Sequence, residues 1–168
     1  MGKWIAGALA ALAILYAPTA FAQDEEPVMR SVTGTQLVEI LQKQGFAASL
    51  TIDPHGDPLI LAELRGVHFQ ILTYGCDGNI NPACQQLQMV AIFNLDGGPS
   101  ETDIAMMNAY NQRFLFGRAY IDPQGAAAVD YTVNIEQGIT EDNLVHNMMI
   151  WHNVLTQFVN GLGWSVSS

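Results

Sequence analysis

Apolar positions follow three patterns along the chain: an unbroken run near the start, alternation at every second residue in the middle, and helical spacing in three separate stretches. The run covers residues 4–16, follows Met1-Gly2-Lys3, and is trailed by Ala20-Phe21-Ala22. A short positive start, an apolar core and a small-x-small site are what signal peptidase reads, so residues 1–22 are expected to be a signal peptide cut between Ala22 and Gln23. The run is shorter than the roughly 20 residues that cross a bilayer. No stable membrane insertion is therefore expected after cleavage, and the location implied is periplasmic or secreted. Residues 23–30 are acidic, carry Pro27 and read as a flexible leader.

Three segments carry helical signals. Thr33-Gly34-Thr35-Gln36 has the spacing of a capping box, Leu37, Ile40 and Leu41 share a face, and Gly45 with Phe46 behind it is placed to end the helix. Pro99-Ser100-Glu101-Thr102-Asp103 supplies a hydroxyl cap and early acids, followed by an apolar stripe of Met107, Tyr110 and Phe114. Thr140 caps the last helix, with Glu141 and Asp142 in its first turn and Ile139 and Leu144 at the staple positions. Leu144, Met148, Trp151, Leu155, Phe158 and Leu162 then recur at four and three residues. With Val145, Met149 and Val159 alongside, that face is wide enough to cover a sheet. Packing on its own sheet is the first reading; Met148, Trp151, Leu155 and Phe158 are the candidate face for a partner.

Between the helices, turn residues separate extended runs over 49–53, 58–65, 67–74 and 87–95. Residues 116–121 and 127–136 form a hairpin turned at Asp122-Pro123-Gln124-Gly125, with Val129, Tyr131, Val133 and Ile135 inward and Asp130, Thr132, Asn134 and Glu136 outward. The fold class expected is α+β: one domain over 31–164 in the order α-β-β-β-β-α-β-β-α, an antiparallel meander with helices packed on it.

Charge narrows the partners. The 168 residues hold 6 Lys and Arg against 16 Asp and Glu, a formal net charge of −10. Such a surface repels nucleic acid and anionic lipid, so neither is an expected partner. Cys76 and Cys84 are the chain's two cysteines, set in turn-forming sequence. In an oxidising compartment they most simply form a disulfide, worth about 2.5 kcal/mol in the chain-entropy model. A zinc site would need further ligands that no neighbouring Cys or His supplies.

Catalytic and metal signatures are missing. His146 and His152 are six apart, which puts them on different sides of a helix, while His55 lies in a turn and His68 on a strand. Asp77, Asn79 and Asn81 copy the start of a calcium loop, but Pro82 stands where glycine makes the sharp turn and Gln88 where a bidentate Glu is needed. No nucleophile elbow, phosphate-cradling loop or dinucleotide fingerprint is present. No enzyme, metal or cofactor is therefore expected. Asn108 and Asn111, neighbours on one helix face, form a candidate polar site with Arg113 and Arg118. The competing reading is that their amides satisfy backbone groups at the junction with the next strand.

The stretch Asn108-Ala-Tyr-Asn111-Gln-Arg113-Phe114-Leu-Phe-Gly117-Arg118-Ala-Tyr120, the Ile121-to-Gly125 turn and the Gly138-Ile-Thr-Glu-Asp helix start resemble the YbjN family of bacterial sensory transduction regulators. The resemblance implies a fold like that of type III secretion chaperones, a curved antiparallel sheet with helices against it that binds polypeptide and often dimerises. It implies no enzymatic activity. The signal peptide and the Cys76/Cys84 loop set this chain apart from cytoplasmic members. The function expected is an exported, non-enzymatic binding or regulatory protein that engages a protein or peptide in envelope signalling or stress, with a homodimer also open. The alternative is a small-molecule sensor or divergent enzyme with a polar cleft near Asn108, Asn111 and Arg118.

Overall fold

Alternation and turn chemistry cut the middle of the chain into strands, and the three capped segments become helices. The computed structural model describes residues 27–163. The expected signal peptide, its Ala22/Gln23 cleavage site and the start of the leader lie outside the described residues, as does Trp164. In chain order the elements are β1 (Val28–Met29), β2 (Val32–Thr33), α1 (Gly34–Lys43), β3 (Ala47–Ile52), β4 (Pro58–Leu64), β5 (Val67–Tyr74), β6 (Ala83–Cys84), β7 (Gln86–Phe93), α2 (Glu101–Arg113), β8 (Arg118–Ile121), β9 (Ala127–Asn134), β10 (Ile139–Thr140) and α3 (Glu141–Gly161).

Six strands make one antiparallel sheet in the order β3-β4-β5-β7-β9-β8; β1 pairs with β10 and β2 with β6 in two small ladders. The last hairpin turns inward, so β9 lies beside β7 and β8 forms the edge. This order keeps every neighbouring pair antiparallel, since β8 runs parallel to β7 and is separated from it by β9.

The β1 ladder corrects the leader. Val28 and Met29 pair with Thr140 and Ile139, and the Arg30 guanidinium donates to the Glu136 carbonyl at 3.4 Å. Residues 28–30 are thus tied to the entry of α3. At the other small ladder Cys76 and Cys84 form a disulfide. The loop that it closes presents Ile80, 92% exposed, at its tip.

Caps form where the sequence places them. Thr33 and Gln36 exchange the two bonds of a capping box, as do Ser100 and Asp103, and the Thr140 hydroxyl accepts from the Asn143 amide. Gly45, at φ +84°, takes the left-handed turn that lets Phe46 N–H reach back to the Leu41 carbonyl.

All three helices pack on one side of the sheet: α1 against β3 and β4, α3 against β9, and α2 beside β8. Leu144, Met148, Trp151, Val154, Leu155, Phe158 and Val159 of α3 are buried there. The candidate partner face of Met148, Trp151, Leu155 and Phe158 is therefore corrected: all four lie in the core. Phe46, Phe69 and Trp151 form one aromatic chain, and Phe93, Phe158, Tyr110 and Phe114 another, with ring centroids 4.8–6.0 Å apart. Each large apolar side chain removed from water there contributes about 1.5–3 kcal/mol. Among the described residues no helix is long and apolar enough to cross a membrane.

Candidate functional site

With three helices on one side, the other side of the sheet carries no covering layer among the described residues. Strand register fixes which residues line it, because alternate side chains leave opposite faces. One transverse row crosses all six strands as Ser49, Leu61, Gln70, Val90, Asp130 and Arg118. Glu63 and His68 pair in the next row on one flank, where Ile92, Ala128 and Tyr120 also align. Gln88 aligns with Leu72 and Thr132 on the other flank.

The row divides into two chemistries. Toward β3 it forms a groove of about 520 Å³, floored by Leu61, Val90 and Ile92 and edged by Ala47, Ser49, Glu63, His68 and Gln70. Ile92 is 54% exposed although apolar. His68 Nδ1 lies 3.6 Å from Glu63 Oε2 on the rim.

Toward β8 the row is polar. Arg118 donates through Nε and Nη2 to Asp130 at 3.2 and 2.5 Å, Gln88 Nε2 donates to the same carboxylate at 2.7 Å, and the Tyr74 hydroxyl donates to Gln88 Oε1 at 2.8 Å. The Arg118 guanidinium also stands 5.3 Å from the Tyr120 ring centroid. Asp130 is only 4% exposed, so the expectation that it faces water is corrected: it points away from the helices but is roofed by its neighbours. Its bonds hold the Arg118 guanidinium more firmly protonated than usual. Burial, and after it the Asp130 carboxylate, pushes the Tyr74 and Tyr120 phenols up. The carboxylate and guanidinium satisfy one another in a two-bond pair and anchor a polar patch.

The structure does not bring Asn108, Asn111, Arg113 and Arg118 together. Asn111 lies against the β8 backbone: its Nδ2 donates to the Ala119 carbonyl and its Oδ1 accepts from the Ala119 amide, both at 2.9 Å. Arg118 leaves the opposite side of β8 for Asp130. Arg113 sits 5.3 Å from the Phe114 ring centroid, beside a shallow hollow shared with Leu115, Phe116 and Ile150. Asn108 is exposed. Among the described residues no three His, Cys, Asp or Glu side chains are grouped to hold a metal ion. The Asp77-to-Asn81 segment closes instead as a turn, with Asp77 and Ala83 exchanging backbone bonds at 3.0 Å.

Pairing Arg118 with Asp130 depends on strand register, which spacing alone does not reveal. A sequence signal for the groove does exist. Leu61 in β4, and Val90 and Ile92 in β7, put apolar groups at positions where a sheet wet on one side carries polar ones.

Fold and site together define a two-layer α+β domain whose sheet has one helix-covered face and one open face, the latter divided between an apolar groove and a fixed polar patch. Residues 33–164 match the YbjN family, described as "Putative bacterial sensory transduction regulator", and the chain belongs to that family. No curated protein matches the chain.

Proposed function

We propose that this protein is an exported, non-enzymatic regulator that engages an extended polypeptide across the open face of its sheet, in envelope signalling or stress response. The observation carrying this reading is the groove over Leu61, Val90 and Ile92, where Leu61 and Ile92 flank a buried Val90 with 42% and 54% of their surface exposed and no layer of the described residues covers them. Contiguous exposed apolar surface rimmed by polar groups is characteristic of protein interaction sites. Membership of a regulator family supports the regulatory role. The signal-peptide pattern and the Cys76–Cys84 disulfide support export. The satisfied Asp130–Arg118 pair favours recognition over acid–base chemistry.

A library of extended peptides, screened by fluorescence anisotropy, tests this. Peptides with alternating apolar residues should bind, and Ile92→Asp should weaken them roughly tenfold or more by placing an anion in the groove floor. Failure of every peptide to bind, or binding indifferent to Ile92→Asp, would overturn the reading.

A further inference from the structure

The two edges of the sheet are treated differently. At β8 the outward backbone groups of Ala119 are both taken by Asn111, and α2 lies alongside. At β3 the Ala48 carbonyl accepts from Gln42 Nε2 at 3.0 Å, while the Asp53 amide donates across the turn to Asp57 at 2.9 Å. This fixes the parity of the strand. Odd-numbered residues of β3 bond toward β4, and Ala48, Leu50 and Ile52 present their backbone groups outward. Among the described residues those of Leu50 and Ile52 meet no partner. The strand carries no charge or proline, and Leu50 and Ile52 are 43% and 68% exposed. Natural edges are ordinarily protected by such residues, and one without them is a template for another strand.

We infer that β3 pairs antiparallel with β3 of a second copy, about a two-fold axis through Leu50. The strand is self-complementary in that register. Leu50 meets its own counterpart, Ile52 falls opposite the small Ala48 of the second copy, where its N–H replaces the Gln42 amide on the Ala48 carbonyl, and Ser49 falls opposite Thr51 on the open face. On the helix side the Leu50 pair is flanked by Ile52 set against Ala48, and on the other hydroxyl meets hydroxyl, a favourable cross-strand pair. A two-fold normal to the sheet keeps the open faces on one side. The grooves, each bordered on β3 by Ala47 and Ser49, then run together across the axis. The pairing stands independently of what the groove binds.

One strand pair is a small interface, at the low end of the range for specific association, so the dimer should dissociate on dilution. Both copies are strongly acidic, so added salt should strengthen the pairing by screening their repulsion. The test is sedimentation velocity of the full chain, purified as the cell matures it, over a concentration series at low and moderate salt. Leu50→Pro removes one outward N–H while leaving the bonds to β4, and Leu50→Lys sets like charges face to face. Each should weaken the dimer about tenfold or more, with circular dichroism unchanged and Ile92→Asp without effect on association. A monomer at every concentration and salt, or a dimer that survives both Leu50 substitutions in folded protein, would overturn the inference.

Discussion

The Tyr110 hydroxyl donates at 3.3 Å to the Phe116 carbonyl and at 3.4 Å to that of Val154, tying the end of α2 to α3. Burial among apolar groups pushes this phenol up to about 12, against about 10 in an unfolded chain. Below that window both states hold the proton and the contribution to stability is complete. As pH rises through it, the unfolded chain ionises first, so stability falls between roughly pH 10 and 12. Tyr110→Phe should cost about 1 kcal/mol at neutral pH and remove this step from the alkaline side, which urea midpoints measured against pH would show. Asp130 illustrates the reverse side of single-residue reading. Its place in the alternation of β9 gives its face correctly, but the cover supplied by Gln88 and Arg118 comes from neighbouring strands and is invisible in one dimension.

Helices and strands were legible because each imposes its own period, and the caps at Thr33, Ser100 and Thr140 mark helix starts with groups that the backbone there requires. β5 has the bounds that its alternation gives. The order of the last hairpin was less legible, since either strand could have joined β7 on pattern alone. The wide face of α3 was legible as apolar, but its occupant was a tertiary fact: the chain's own sheet. Asn111 was singled out as polar recognition or backbone satisfaction, and the bonds to Ala119 place it in the second role. Asn111→Ala should therefore cost about 1–3 kcal/mol and expose the β8 edge. A lower thermal midpoint together with faster aggregation by light scattering is the expected result; unchanged stability would remove the sealing role.

At the scale of the molecule, a one-sided arrangement of helices leaves the sheet with a dry face and a usable face. The Cys76–Cys84 bridge anchors the loop between β5 and β6, beside the β2–β6 ladder that leads into α1. Replacing both cysteines by serine should lower unfolding free energy by about 2.5 kcal/mol, read as a shift in urea midpoint that reductant reproduces in the native chain and not in the double variant. The packing of α3 has an optical consequence. Of the tryptophans at 4, 151 and 164, the indole of Trp151 is fully enclosed, 5.5 Å from the Phe69 ring centroid, and among the described residues its Nε1 meets no hydrogen-bond acceptor. Shut away from solvent, Trp151 should emit toward the blue and resist aqueous quenchers, so that the separation of helix from sheet carries its own spectral signal.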